Sequence, residues 1–191
     1  MPAKSSSFRD AKILLGVTGG IAAYKSAALT SQLRREGAVV QVVMTEHATK
    51  FVTPLTFLSL SRRPVRVGMF EPREEADIEH IALADWPDLV VVAPCTANLM
   101  GKITAGIADD LLSTILLATT APVLLAPAMN VHMWEHPATQ RNLATLVEWG
   151  YHTVGPEEGD LACGYTGKGR MSEPEEILAR IRQLLKKGKR G

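Results

Sequence analysis

Cysteine is scarce in this chain: Cys95 and Cys163 are the only two among 191 residues. Two thiols cannot build the disulfide framework of a small secreted protein, so a reducing, cytoplasmic setting is expected. Net charge is almost missing as well. Twenty-one Lys and Arg against twenty Asp and Glu give +1, which leaves no field to recruit nucleic acid or an anionic membrane and makes a small molecule the expected partner. Met1 to Lys12 has no apolar core of the kind a signal peptide needs. The nearest thing to a membrane span, Leu111 to Met129, lacks any charge but is divided by Pro122 and Pro127, which predicts a helix followed by a short strand rather than a span. There is no P-loop and no G-x-S-x-G elbow. No metal site is expected, because His132 and His136 lack a third ligand nearby and Pro137 follows directly. No internal repeat or interdomain linker occurs.

What is present is ordinary globular usage, 46% hydrophobic and 21% charged, enough for one α/β domain with a sizeable core. The apolar run Ile13 to Val17 reads as a first strand, Ala22 to Arg35 as a helix, and Val39 to Met44 as a second strand, a βαβ unit. Phe51 to Leu60 reads as a helix, Val65 to Val67 as a short strand, and Glu71 to Asp77 as an acidic loop. Asp88 to Ala93 and Val123 to Ala126 are the continuous apolar runs of buried parallel strands. Helices are predicted over 97–103, 109–119, 137–150 and 175–185, with a last short strand at Tyr151 to Val154. Together these predict a three-layer Rossmann or flavodoxin-like fold, a parallel sheet between helices. Residues 1–11 are expected to be a flexible N-terminus, 12–185 the domain, and 186–191 a frayed basic tail.

The chemistry is expected where strands end. Gly19 and Gly20 stand between the first strand and the first helix, either as a tight turn with no ligand or as a site where missing Cβ atoms and a helix N-terminus suit a phosphate. The full G-x-G-x-x-G fingerprint is absent, as is an acidic ribose reader about 20 residues on. A single-phosphate flavin therefore fits better than a nicotinamide dinucleotide. Thr45 ends the second strand, either as a cofactor contact or as a helix N-cap. Thr96, Ala97 and Asn98 follow the third long strand, and Ala128, Met129 and Asn130 the fourth. His80 lies between two isoleucines, a setting that is usually structural. Residues 157–172 carry a polar, glycine-rich run around Cys163, which reads as a loop serving as a flap over a site.

Four segments then align with one pattern: Gly19 through Lys25, Ala93 through Asn98, Pro127 through Asn130, and Ala162-Cys163-Gly164 continuing to Gly169-Arg170-Met171. In order and spacing they resemble the flavin-containing cysteine decarboxylases, the family that includes the phosphopantothenoylcysteine decarboxylases of coenzyme A biosynthesis. The resemblance spans about Lys12 to Ile181. It implies FMN as cofactor, surrounded by Gly19, Gly20, Ile21, Thr45, Thr96, Ala97, Asn98 and Ala128. It implies three catalytic residues: His80 as the base assisting thiol oxidation, Asn130 as the group binding the substrate carboxylate, and Cys163 as the final proton donor. Met129, Ala162 and Gly164 would line the substrate beside Asn130. The implied reaction oxidises the substrate thiol to a thioaldehyde, loses carbon dioxide, and re-reduces the ene-thiol. The resemblance further implies homotrimers that assemble into dodecamers, with His80 serving a neighbour's cofactor. Many bacterial members continue into a domain that ligates cysteine to phosphopantothenate, and the expectation for these residues is decarboxylation alone. Competing readings are a decarboxylase of peptide C-terminal cysteines, which typically lacks the Ala-Cys-Gly motif, a non-enzymatic flavoprotein regulator, and a flavin prenyltransferase of similar fold.

Overall fold

In the computed structural model, which describes residues 8–69, 79–160 and 164–188, five strands lie side by side. They are β1 (Lys12–Val17), β2 (Val39–Met44), β3 (Leu89–Cys95), β4 (Val123–Pro127) and β5 (His152–Thr153). Their order is β2-β1-β3-β4-β5 and every neighbouring pair is parallel. A second, antiparallel pair is formed by β6 (Glu157–Asp160) and β7 (Thr166–Arg170). The helices are α1 (Ala23–Arg35), α2 (Pro54–Ser61), α3 (Glu79–Asp85), α4 (Ala97–Thr104), α5 (Leu111–Ala118), α6 (Val131–Glu135), α7 (Pro137–Glu148) and α8 (Pro174–Gly188).

Strands β3 and β4 are apolar throughout, and β1 and β2 nearly so, because both faces of the sheet are covered. Successive side chains alternate between two cores. Ile13, Leu15 and Val17 join Leu29 and Leu33 of α1, Phe57 of α2 and Ile177 and Ile181 of α8 on one face. Leu14, Val90 and Val92 meet Met100 and Ile103 of α4, Leu112 and Ile115 of α5 and Leu146 of α7 on the other. Each such buried aliphatic side chain contributes roughly 1.5–3 kcal/mol. This is the three-layer arrangement expected from the sequence, with the strand order of the flavodoxin-like class.

Helix starts follow local chemistry. Asp110 accepts a hydrogen bond from the Ser113 N–H at 2.8 Å while the Ser113 hydroxyl accepts from the Asp110 N–H at 3.2 Å, a reciprocal cap for α5. Lys102 reaches across from α4 and donates to Asp110 at 2.7 Å. Burial alone would raise the Asp110 carboxyl, but the Lys102 and Ser113 hydrogen bonds outweigh it and hold it below the ordinary carboxylate value. A carboxyl whose folded-state pKa is depressed stabilises the fold above its unfolded value of about 4 and loses that contribution as pH falls through the folded value. Asp110→Asn, which keeps a competent cap, is thus expected to be less stable than the parent at pH 7 and to match it in acid; denaturant midpoints that coincide at pH 7 would refute this.

Several expected boundaries move. Phe8 is 1% exposed and lies under the Arg182 guanidinium, 5.2 Å from ring centroid to Cζ, so the described part of the supposed flexible N-terminus belongs to the body. Helix α2 begins at Pro54 rather than Phe51, since a proline is most at home in the first turn. The expected strand at Val65–Val67 is reduced to a single bridge between Arg66 and Val43. Helix α8 runs on through Lys186 to Gly188, where a frayed tail was expected. Helices α3 and α6 were not expected. The glycine-rich run is a hairpin instead of a loop: Glu158 stands opposite Lys168, a favourable cross-strand charge pair. Met171 and Ser172, the last residues of the expected flap, are buried and belong to the body. The acidic segment at 71–77 lies outside the described residues.

Candidate cofactor and substrate site

From β1 the chain goes to β2 on one side of the sheet, and from β3 to β4 and β5 on the other. Where the order reverses, the loops leaving adjacent strands diverge, and a crevice opens at the carboxyl ends. A cleft of about 540 Å³ lies there, lined by Gly19, Gly20, Ile21 and Ala22 after β1, Thr96 and Ala97 after β3, and Ala128, Met129 and Asn130 after β4. Gly169, Arg170 and Met171 at the end of the hairpin close another side, with Tyr24, Lys25, Met133 and Glu173.

Gly19 is needed for the turn to close. A Cβ there would collide with the Cβ of His47 and lie 2.9 Å from its carbonyl carbon, distances that real Cβ atoms do not adopt against backbone. Gly20 is different, since its added Cβ would meet only the Thr96 methyl at 3.8 Å. The bare position faces the cleft. Helix α1 starts at this turn with no side-chain cap at Ala22 and no acidic residue in its first turn, which leaves its positive end available to an anion. The Thr18 hydroxyl donates to the Pro94 carbonyl at 2.7 Å and the Ser26 hydroxyl to the Ala93 carbonyl, so the turn after β1 and the start of α1 are tied to the end of β3.

Asn130 is the N-cap of α6, its side-chain oxygen accepting from the His132 N–H at 2.8 Å. That bond settles which way the amide faces. The hairpin lies on the same helix: the Met129 N–H donates to the Gly169 carbonyl at 3.0 Å, and a Cβ at Gly169 would overlap the Met129 carbonyl oxygen. The Tyr165 ring packs edge-on against His132 with centroids 5.2 Å apart, and the Lys168 ammonium sits 5.9 Å from the Trp134 ring. His136 caps α7, its Nδ1 accepting from the Ala138 N–H at 3.1 Å.

Of the residues singled out in the sequence, Gly19, Gly20, Ile21, Thr96, Ala97, Ala128, Met129 and Asn130 are brought together on the cleft. Thr45 directly follows β2, its hydroxyl accepting from the Ala48 N–H at 3.3 Å; His47 is the N-cap of the short helical turn Ala48–Lys50, and Thr45 is not on the cleft wall. Asn98 is exposed on α4, and Gly164 is exposed just before β7. His80 is half-buried in the first turn of α3 and is not on the cleft wall of its own chain. Ala162 and Cys163 lie outside the described residues. Cys95 is fully buried and burial pushes its thiol up to about 12, so it is unreactive at neutral pH. Lys25, Met133 and Glu173 were missed as site residues. Lys25 and the Gly169-Arg170-Met171 run stand within motifs visible in the sequence, but their convergence depends on contacts made across most of the chain.

An open parallel sheet with a glycine turn, an uncapped helix end and a cleft at its switch point defines a cofactor-binding α/β domain. Comparison with known proteins narrows the class: residues 2–186 match the family model described as Flavoprotein, and the chain belongs to that family. Among curated relatives, the coenzyme A biosynthesis bifunctional protein CoaBC of Bacillus subtilis (strain 168) is 57% identical over 166 residues, covering 87% of this chain and 41% of that protein. The CoaBC of Vibrio cholerae serotype O1 is 54% identical over 173 residues, covering 91% and 43%. The chain thus spans about two fifths of the length of these relatives. Among solved structures, a PPC decarboxylase variant complexed with pantothenoylaminoethenethiol is 33% identical with a TM-score of 0.82, covering 93% of this chain and 100% of the other. The FMN-dependent cysteine decarboxylase SpaF is 32% identical with a TM-score of 0.79, covering 93% and 97%.

Proposed function

We propose that the cleft binds FMN and that the protein decarboxylates the cysteine moiety of 4'-phosphopantothenoylcysteine, giving 4'-phosphopantetheine for coenzyme A biosynthesis. The observation that carries this reading is the convergence of three strand-end loops on one crevice that has a glycine cradle and open helix end at one side and an oriented asparagine at the other. The curated relatives are named for coenzyme A biosynthesis, and one solved relative is a PPC decarboxylase variant complexed with pantothenoylaminoethenethiol. The cleft volume lies within the usual range for small-molecule sites.

Gly19, Gly20 and Ile21 would hold the phosphate end at the α1 N-terminus, and Thr96, Ala97 and Ala128 would wall the ring system. Thr45 and Asn98 belong to the proposed set from the ends of β2 and the start of α4. When bound, the flavin supplies a two-electron acceptor that returns the pair, so the substrate carboxylate can leave from an oxidised thiol-bearing carbon. Asn130 binds that carboxylate, since an amide donates N–H without a positive charge that would oppose loss of the group. Met129 lies against the substrate on the same loop. Cys163, with Ala162 and Gly164 beside it between β6 and β7, supplies the final proton, a role that rests on the motif alone. A hairpin held over the cleft keeps water from the reactive enethiol.

His80 is assigned as the base, a task suited to an imidazole, which can both accept and donate a proton. Because it stands off the cleft of its own chain, we propose that a second copy supplies it, in a trimer that can build a dodecamer. The exposed apolar residues Ile21, Tyr24, Phe51, Leu55 and Leu58 beside the α1 turn support self-association. Sedimentation of the FMN-loaded protein is expected to give a trimer or a multiple of it; a monomer that retains FMN would overturn the arrangement. No helix among the described residues is long and apolar enough to cross a membrane, and a cytoplasmic location is proposed.

The reading is tested by incubating the FMN-loaded protein with 4'-phosphopantothenoylcysteine and weighing the product. Loss of one carbon dioxide with no other change is expected. A product also lacking two hydrogens would favour the peptide-type decarboxylases, and a protein that stays colourless with FMN would remove the cofactor assignment.

A further inference from the structure

Lys25 lies at the third position of α1, one turn beyond the glycine cradle, and is 8% exposed. A buried ammonium must be matched by acceptors, and Lys25 has two, neither from its own part of the fold. Its Nζ donates to the Met171 carbonyl at 3.0 Å and to a Glu173 carboxylate oxygen at 2.8 Å, groups 146 and 148 residues away. Met171 directly follows β7, and with Gly169 and Arg170 it forms the hairpin side of the cleft. The opposite root of the hairpin is tied by the Ser172 hydroxyl, which donates to Glu157 at 2.7 Å. Glu173 is also 3.9 Å from Arg170, so one carboxylate stands between two cations that line the cleft.

We propose that Lys25 is a positioning residue that fixes the root of the β6–β7 hairpin to the helix carrying the cofactor cradle, and so sets the width of the substrate side of the cleft. This rests on the proposed function for its substrate but not for its geometry. Other restraints of the hairpin toward the body include one backbone bond at Met129, the Ser172–Glu157 bond at its root and the ring contacts on α6. A charge-assisted pair of bonds at its root is strong relative to these. The ammonium acts through the Met171 carbonyl and Glu173 and takes no part in proton transfer.

The test compares the FMN-loaded parent with Lys25→Met, which keeps the apolar stem, with Glu173→Gln, a half-exposed site whose substitution leaves the core untouched, and with the double variant. Amide exchange over 157–160 and 166–170 is expected to quicken about tenfold or more in Lys25→Met and less in Glu173→Gln, with β1 and β3 unchanged. The double variant should stay close to Lys25→Met, because the Lys25–Glu173 bond is already lost there and the 3.9 Å Arg170–Glu173 contact is a weak one. KM for 4'-phosphopantothenoylcysteine should rise about tenfold in Lys25→Met while the FMN affinity changes less than threefold. Hairpin exchange equal to the parent in both single variants would overturn the proposal, as would a loss of FMN affinity with exchange unchanged, which would make Lys25 a cofactor ligand. The exchange result stands whether or not the protein turns over that substrate, so failure of the activity assay alone would fall on the proposed function.

Discussion

Asn130→Asp is expected to abolish decarboxylation while leaving the protein folded and yellow. An aspartate oxygen can accept from the His132 N–H as the asparagine oxygen does, so the cap on α6 is kept. What changes is the other side of the group, where the N–H donor proposed to bind the substrate carboxylate becomes a second anion. Two like charges at about 4 Å cost on the order of 4 kcal/mol at the effective dielectric of a partly buried site, roughly a thousandfold in kcat/KM. Steady-state turnover and a visible spectrum on the same sample check both halves. Retained activity would take the carboxylate away from Asn130, and a colourless protein would show that the substitution reached further than the substrate.

The second large effect separates the two glycines of the cradle. Gly19→Ala forces the turn off the backbone of His47, an overpacking whose typical cost is about 1–3 kcal/mol. The unloaded protein should therefore melt roughly 2–10 °C lower, with FMN affinity falling alongside. Gly20→Ala has room in the unloaded fold, where its new methyl meets only the Thr96 methyl, so its melting temperature should match the parent. Its FMN affinity should nonetheless fall by about a hundredfold, because the methyl projects into the place the ligand would take. Gly20→Ala binding FMN like the parent would mean that the phosphate is held elsewhere.

The sheet was legible because a parallel strand buried on both faces writes itself as an unbroken apolar run. β1 to β4 each lie within two residues of their expected limits, and β2 within none. The turn after β1 was legible for a related reason, since a glycine pair that closes an apolar run and opens a helical pattern marks the passage from strand to helix. Short elements were not. Helices α3 and α6 have seven and five residues, too few for a 3.6-residue repeat to declare itself. The hairpin is written in Glu, Gly, Asp, Lys and Arg, residues with poor strand preference, and its shape depends on Gly169 meeting Met129 and on Lys168 meeting Trp134. Lys25 shows the same limit within the site: its motif position was visible, but a lysine in a helix reads as solvent-facing until Met171 and Glu173 arrive to bury it. His80 reads equally well as a surface residue, and its own chain gives it no place on the cleft.

The acceptors of Lys25 also bear on the order in which the protein is made. When α1 leaves the ribosome its ammonium has nothing to bond to, and nearly 150 residues must follow before Glu173 emerges. Until then the nascent domain holds a half-built crevice with an unmatched cation at its edge. The root of the hairpin is locked only once Glu173 has emerged, and capture of a ligand between cradle and hairpin waits until then.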